Sequence, residues 1–314
     1  MASNTESRFA PFEVLVANTV VITGIKYLPA TRSESGSTSD YRPLIILLHG
    51  GGCTAHHFDL SPSMTISTIA EALSVPVISI NRPGYLGSDR LPATQGSRFH
   101  KDLGSFYHSH LFPKLWADFG IAHGCKAVVP LAHSLGSPAV IIAAGLHARE
   151  QSPSYPLAGI IMSGWGELPS PRMPPSPRDR SQKLDWKRVV MCGPSEDHCA
   201  PVQALEAIGI QDHNMESQEL EEVINGDWNS YWYRFADDIM VPIMFSLGEH
   251  DLFWEGSTVH LIQFGSRFPK CPRFDGAVVK GAPHAIEWSH CAQGWMARCL
   301  GFAQEVTAGL ALGA

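Results

Sequence analysis

The segment AHSLG at residues 132–136 most constrains the fold, because it sets a serine between an apolar run and a run of small residues. Residues 127–131 are typical of a buried strand, and residues 138–144 of a helix packed on a sheet. Where a strand turns sharply into a helix at a serine, small residues are needed on both sides because the backbones nearly touch. The pattern predicts Ser134 at such a turn, either as a nucleophile or only as a helix N-cap.

Two later segments offer partners for Ser134. The apolar run 243–248 is followed by Asp251, and the run 277–280 by a glycine- and proline-containing loop that ends in His284. An imidazole on such a loop can accept the serine proton, and a carboxylate can hold that imidazole in the required tautomer. We therefore predict Ser134 as nucleophile, His284 as general base and Asp251 as the orienting acid. The alternatives are His250 and His290 for the base and Glu249 for the acid.

A glycine cluster, HGGG at residues 49–52, directly follows the apolar run 44–48. Glycines leave backbone N–H groups uncovered, so a developing oxyanion can be bound there. We predict Gly51 as one donor, with Gly52 as the alternative, and the N–H of Leu135 at the start of its helix as the other. A glycine-rich turn that only permits close packing is the competing interpretation.

With these segments the chain resembles the α/β-hydrolase fold superfamily, in particular lipase- and esterase-like serine hydrolases of small fungal or bacterial type. It also carries NRPGYLGS at residues 81–88, where members commonly have D-R-P-G-x-G-x-S, and Asn81 replaces the aspartate. The resemblance runs from about residue 13 to about residue 305, and Ala132 is its only departure at the chemistry. It implies an α/β fold with a doubly wound, mostly parallel sheet and an inserted helical lid. It also implies a nucleophilic mechanism without metal or cofactor, but no particular substrate.

The chain of 314 residues, 44% of them hydrophobic, is long enough for one α/β domain with an insertion. We predict the core at residues 1–166 and 241–314, and the lid at 167–240, beginning with a proline-rich stretch. Other predicted elements are a hairpin at 13–28, a polar loop at 33–39, a helix at 103–119 bent at Pro113 and a closing helix at 292–306.

Aromatic and acidic residues in and beside the predicted lid suggest two different environments. Trp165, Trp228 and Trp232 are expected to line an apolar substrate pocket, or else to pack the lid on the core. The acidic residues are expected on solvent-exposed helix faces; they are Glu206, Glu219, Glu221 and Glu222.

Charge and composition argue against several classes of partner. The formal net charge of -7, without basic clusters, argues against nucleic acid or an anionic membrane surface. No apolar run is long enough to span a bilayer and the first residues carry no signal core, so we expect a cytoplasmic protein. The seven scattered cysteines are typical of reduced thiols. Cys192, His198 and Cys199 match no metal-binding pattern.

We therefore expect a serine hydrolase that cleaves an ester, thioester or lactone of an uncharged, hydrophobic small molecule through an acyl-enzyme. The same three side chains also suit an acyltransferase, cyclase or lyase of secondary metabolism, particularly if a lid excludes water. A third interpretation is a non-catalytic protein that keeps the fold and binds a small molecule.

Overall fold

The centre of the fold is an eight-stranded sheet. The computed structural model describes residues 7–29, 41–92, 98–175, 183–209, 211 and 213–313. The strands of the main sheet are β1 (Ala10–Val16), β2 (Val20–Tyr27), β3 (Pro43–Leu48), β6 (Val77–Ile80), β7 (Ala127–His133), β8 (Ile160–Ser163), β9 (Ile243–Gly248) and β10 (Phe274–Val279). A separate two-stranded sheet consists of β4 (Asp59–Ser61) and β5 (Met64–Thr65).

The strand order of the main sheet is β1-β2-β6-β3-β7-β8-β9-β10. The hairpin β1–β2 is antiparallel, and β2 is also antiparallel to its neighbour β6. The six strands from β6 to β10 in this order run parallel to one another. Every residue of β3, β7 and β9 is buried, because helices cover both faces of the sheet. The predicted α/β class with a mostly parallel sheet is confirmed.

Alternate residues of β3 enter the two apolar layers on opposite faces of the sheet. Leu44, Ile46 and Leu48 pack in one cluster, whereas Ile45 and Leu47 pack in the other. The first layer includes most of the apolar side chains of the helix that follows Ser134, and the second includes those of the last helix. A strand without polar positions is therefore explained by burial on both faces.

Ten α-helices surround the sheet in the described residues. They are α1 (Ser67–Leu73), α2 (Phe99–Phe106), α3 (Phe112–Leu115), α4 (Ser137–Arg149), α5 (Lys183–Cys192), α6 (Val202–Ala207), α7 (Ser217–Ile224), α8 (Tyr233–Ala236), α9 (Thr258–Gly265) and α10 (Ala292–Leu312). The predicted helix at 103–119 lies in a helical segment in which a π-helical stretch, Tyr107–Leu111, joins α2 to α3. Pro113 lies two residues after this stretch and cannot donate an N–H to the preceding turn, which explains the wider turn before it.

Helices α5 to α8 lie between β8 and β9, in the interval predicted as a lid. The boundaries at residues 166 and 241, and a lid function, stay predictions. The polar segment 33–39 and residues 176–182 lie outside the described residues. Within the described part of the chain, none of the helices combines the length and apolar character needed to cross a bilayer.

Candidate active site

Ser134 lies at the sharp turn between β7 and α4. Its backbone φ is 50°, in the left-handed region that is unfavourable for a residue with a Cβ. A Cβ on Gly136 would lie 2.6 Å from the carbonyl oxygen of Leu48, and one on Gly50 would lie 3.0 Å from the Cβ of Ser134. The turn therefore needs glycine at 50 and 136. Ala132 belongs to the regular strand β7, so its methyl group is accommodated.

Three side chains from three different strand ends meet in one hydrogen-bonded line. Ser134 Oγ lies 3.0 Å from His284 Nε2, and His284 Nδ1 lies 2.9 Å from Asp251 Oδ2. All three side chains are buried. The second carboxylate oxygen of Asp251 accepts hydrogen bonds from the N–H groups of Phe253 and Trp254, at 2.8 and 3.1 Å. Because Nδ1–H donates to the carboxylate, the Nε2 lone pair faces the serine hydroxyl, as proton removal requires.

The alternatives considered for base and acid have other surroundings. Glu249 accepts from Lys280 Nζ at 2.6 Å and lies at the surface. His250 Nδ1 lies 3.2 Å from Asp197 Oδ2, and His290 is exposed. The structure thus brings Asp251, rather than Glu249, to the imidazole nearest the serine.

The loop after β3 passes beside the start of the turn at Ser134. A Cβ on Gly51 would lie 2.6 Å from Leu135 Cδ1, so the two predicted oxyanion donors belong to neighbouring residues. In the described part of the chain, neither the Gly51 nor the Leu135 N–H donates a turn or loop hydrogen bond to another backbone carbonyl. Gly52 has φ of 67°, which favours glycine at that position. This geometry can present two free N–H groups to a substrate oxygen.

Side chains from the interval between β8 and β9 bind the loop after β3, and the sequence analysis did not identify them. Lys187 is buried, and its Nζ donates to the carbonyl oxygens of Gly52 and Gln211 at 2.6 and 2.7 Å. Gln211 Oε1 in turn accepts from the N–H and hydroxyl of Thr54. Met215 packs against Gly51, where its Sδ would lie 2.5 Å from an added Cβ. A lysine beside other charged residues in a helix of mixed composition gives no sequence signal for such a buried position.

A buried ion pair joins the loop after β6 to α7. Arg82 Nη1 pairs with Glu219, and both side chains are almost inaccessible. Tyr85 Oη also donates to Glu219, at 2.6 Å. Burial alone would lower the pKa of the Arg82 guanidinium, but the Glu219 charge raises it above its ordinary value. Arg82 Nη1 also lies 3.4 Å from the carbonyl oxygen of Leu135, so the pair lies directly beneath the predicted oxyanion donor.

The prediction that all four acidic residues face solvent was wrong for two of them. Glu219 and Glu222 are buried, whereas Glu206 and Glu221 are exposed. Glu222 accepts hydrogen bonds from Tyr231 Oη at 2.5 Å and from the His100 N–H at 3.1 Å. The reason is that α7 packs its Glu219 and Glu222 face inward, where an arginine, hydroxyls and an amide compensate for lost hydration.

The three tryptophans predicted for substrate binding are all buried. The rings of Trp228 and Trp232 stack with centroids 5.7 Å apart, and Trp232 also stacks on Phe264 of α9. Trp165 directly follows Gly164 after β8 and packs edge-on against Trp228 and Trp254. These contacts favour packing of the interval on the core for Trp228 and Trp232; substrate binding by any of the three stays a prediction.

A cluster of potential metal ligands lies beside the loop that carries Asp251. The donor atoms of Asp197, Cys199 and His250 lie within 4.8 Å of one another. Two of these donors already contact a cation, because Arg172 Nη2 lies 2.5 Å from Asp197 Oδ2 and its Nη1 lies 3.1 Å from His250 Nδ1. A guanidinium in this position competes with a metal ion, so we assign no metal to the cluster.

Solved structures with the same fold cover most of this chain. A loop variant of a haloalkane dehalogenase from Bradyrhizobium elkanii is 13% identical, with a TM-score of 0.59, and the match covers 97% of this chain and 100% of that one. A monoacylglycerol lipase from Paleococcus ferrophilus is 14% identical with a TM-score of 0.54, over 84% and 96% of the two chains. An esterase from Pyrococcus furiosus is 14% identical with a TM-score of 0.52, over 95% and 90%.

The sequence comparisons differ between curated proteins and family models. Among curated protein sequences, none is significantly similar to this chain. A family model described as the alpha/beta hydrolase family matches residues 45–237, which contain the glycine cluster, the turn at Ser134 and most of the interval between β8 and β9. The match spans more than half of the chain, and together with the sheet order it shows that the chain belongs to the α/β hydrolase family.

Proposed function

We propose that this protein is a serine hydrolase that cleaves an ester, thioester or lactone of an uncharged, hydrophobic small molecule. The observation that carries the proposal is the line from Ser134 Oγ to His284 Nε2, 3.0 Å, and from His284 Nδ1 to Asp251 Oδ2, 2.9 Å. A hydroxyl, an imidazole and a carboxylate at these separations form the relay that acyl-transfer enzymes use. Membership of the α/β hydrolase family supports the same reaction class.

In this mechanism His284 removes the proton from Ser134 as its oxygen attacks the substrate carbonyl. The N–H groups of Gly51 and Leu135 then stabilise the oxyanion, and each such donor typically contributes a factor on the order of a hundred or more to turnover. His284 next protonates the leaving group, and a water molecule activated by the same imidazole releases the acid from the acyl-enzyme. The donors and the relay are all supplied by the chain itself.

The surroundings of the relay favour an apolar substrate. Phe253 packs edge-on against the His284 ring, with centroids 4.7 Å apart. The thioether of Met215 and the side chain of Leu135 both lie next to Gly51, close to the position that a Cβ would take. Two nearby cations are already paired: Lys187 of the interval donates to backbone carbonyls, and Arg82 of the loop after β6 pairs with Glu219. A neutral acyl group therefore fits these surroundings better than an anionic one.

The test compares Ser134→Ala with Ser137→Ala, a buried serine one helical turn further on. A fluorophosphonate probe and a panel of p-nitrophenyl esters are used on wild type and both variants. We expect labelling and turnover to be lost only in Ser134→Ala, with an unchanged circular dichroism spectrum. Labelling that persists without Ser134 would refute the proposed nucleophile.

A second experiment separates hydrolysis from the alternative reactions. Turnover of an ester in ¹⁸O-labelled water should place one labelled oxygen in the acid product, because water resolves the acyl-enzyme. An unlabelled product with an otherwise active enzyme would indicate transfer, cyclisation or elimination. If the protein binds substrates tightly without labelling or turnover, it is a binding protein instead.

A further inference from the structure

A fully buried group of ionisable side chains lies next to the serine–histidine pair. It consists of His57, His133 and Glu287, all with no exposed surface. The rings of His57 and His133 stack with centroids 4.5 Å apart, and the ring of His133 lies 4.8 Å from that of His284. The three imidazoles of His57, His133 and His284 therefore connect Glu287 to the proposed general base.

Glu287 needs a positive partner in this position. Its Oε1 accepts hydrogen bonds from Ser163 Oγ at 2.7 Å and from Trp295 Nε1 at 2.9 Å. Its Oε2 lies 3.5 Å from His57 Nε2 and 3.4 Å from His133 Nδ1. Two neutral donors do not compensate for burying a carboxylate. Burial alone would raise the pKa of Glu287, but the imidazoles of His133 and His57 lower it below its ordinary value, so we assign an ionised carboxylate beside one protonated imidazole.

The hydrogen bonds of Ser163 show which nitrogen of His133 carries its proton. Ser163 has one hydroxyl proton and donates it to Glu287, so it can only accept from His133 Nδ1, which lies 3.0 Å away. His133 therefore carries its proton on Nδ1. A second proton on its Nε2 would be a buried N–H without an acceptor, because that atom has no hydrogen-bond partner among the described residues. Both ring nitrogens of His57 also lack a well-aligned hydrogen bond in the described part of the chain, so these contacts alone do not choose between the two imidazoles.

The two nitrogens of His57 have different neighbours. Nε2 faces the Glu287 carboxylate and the ring contacts the Cys53 thiol. Burial alone would lower the pKa of His57, but Cys53 and Glu287 together raise it to about 9. The pKa of His133 is lowered well below its ordinary value, chiefly by burial. The extra proton is thus favoured on His57.

The other groups that act on this cluster do not change that assignment. Burial lowers the pKa of His49 and raises that of Cys299. The charge of Lys187 lowers the pKa of Cys53, and Arg82 is paired with Glu219. His284 lies beside the ring of His133 and contributes to lowering the pKa of that imidazole.

We propose that Glu287 and His57 form a buried carboxylate–imidazolium pair that keeps His133 neutral and thereby positions His284 and preserves its ability to accept a proton. This inference depends on the proposed role of His284 as general base. A positive charge on His133 would oppose the imidazolium that forms on His284 during attack. A neutral ring at a centroid distance of 4.8 Å adds no such repulsion. Glu287 and His57 are therefore positioning residues that act through His133.

A metal ion held by the same three side chains would be a different explanation. The interplanar angle of the stacked His57 and His133 rings is 19°. Imidazole lone pairs lie in the ring plane, so two nearly parallel stacked rings do not direct their nitrogens to one shared ion. We therefore assign a proton rather than a metal, and elemental analysis of the purified protein should find no stoichiometric metal.

The first test is made on the wild-type protein and does not depend on activity. In the ¹⁵N-histidine NMR spectrum at pH 8, one imidazole should carry protons on both nitrogens and should titrate near pH 9. This is the expected signature of His57, and it should disappear in His57→Gln. Absence of any imidazolium at pH 8, or one stoichiometric metal ion per chain, would overturn the proposal.

The second test measures fluorophosphonate labelling of Ser134 against pH in His57→Gln, Glu287→Gln and the double variant. In His57→Gln the carboxylate must be balanced by a proton on His133, so the acid limb should move to lower pH by about one to two units. Glu287→Gln and the double variant contain no unbalanced buried charge, and their acid limbs should coincide with that of wild type.

The double variant distinguishes a positioning role from a purely structural one. If the substitutions only damaged the structure, their effects on labelling would add in the double variant. Charge balance predicts instead that Glu287→Gln reverses the shift of the acid limb caused by His57→Gln. An acid limb that fails to return in a folded double variant would refute the proposal. If Ser134→Ala is still labelled, the proposed function fails instead, while the NMR result still reports where the proton lies.

Discussion

The buried pair of Arg82 and Glu219 leads to a quantitative prediction for Glu219→Gln. Glutamine has nearly the same shape and can still accept from Tyr85, so the substitution mainly removes the charge. Arg82 stays charged and is 1% exposed, so water does not replace the lost partner. Breaking a buried pair in this way typically costs about 3–5 kcal/mol. For a chain of this length, that corresponds to a melting temperature lowered by about 5–8 °C.

The same helix region offers a matched control. Glu216 precedes α7 and pairs with Arg90 at 2.7 Å, but the Arg90 side chain is 77% exposed. Glu216→Gln should therefore change the free energy of unfolding by less than about 1 kcal/mol. Urea titrations followed by tryptophan fluorescence measure both variants. Equal losses in Glu216→Gln and Glu219→Gln would refute the argument, because burial would then make no difference to the ion pair.

Three further predictions concern the relay, the turn and pH. Asp251→Asn should lower kcat for ester hydrolysis by on the order of 10³–10⁴ without a matching rise in KM; a small loss would contradict its orienting role. Gly136→Ala should destabilise the protein by about 1–3 kcal/mol in urea, unlike Gly309→Ala, whose added Cβ meets no atom within 4 Å. Because the pKa of His57 is raised to about 9 and that of His100 lowered to about 3, the free energy of unfolding should peak near neutral pH.

The pH prediction follows from the sign of each shift. His57 binds its proton more tightly in the folded protein, so its contribution is complete below pH 6.5 and is lost as pH rises through about 9. His100 lies buried and neutral, so the unfolded chain takes up a proton first and stability falls as pH drops below 6.5. Urea titrations at several pH values check both limbs. A free energy of unfolding that rises steadily from pH 6.5 to 9 would contradict the assignment of the proton to His57.

The fold and the relay residues could be anticipated from the sequence because their signals are local. Each predicted relay residue follows an apolar run that forms a strand, and parallel strands end at the same edge of a sheet. Ser134, Asp251 and His284 therefore had to lie near one another once the strands were recognised. Glu249, the alternative acid, lies only two positions before Asp251, so only the path of the loop after β9 separates the two carboxylates.

Buried charges gave no such local signal. Glu219 and Lys187 lie in helices that contain several other charged residues, and a charged residue usually faces solvent. Their burial depends on Arg82, Gly52 and Gln211, which are distant in the sequence. Periodicity within one helix cannot show a counter-charge or a carbonyl oxygen that another element supplies. The buried position of Glu287 could not be predicted for the same reason, because its partners come from four separate segments.

The contacts of the interval between β8 and β9 argue that it does more than cover the site. Lys187 holds the carbonyl oxygen of Gly52, and Glu219 balances Arg82, which contacts the carbonyl oxygen of Leu135. Both predicted oxyanion donors thus lie next to groups that this interval stabilises. A cover alone could be removed with little effect on the chemistry. Here removal would leave Arg82 as a buried charge without a partner beside the predicted donors, so, if the proposed function holds, the interval supports the oxyanion site.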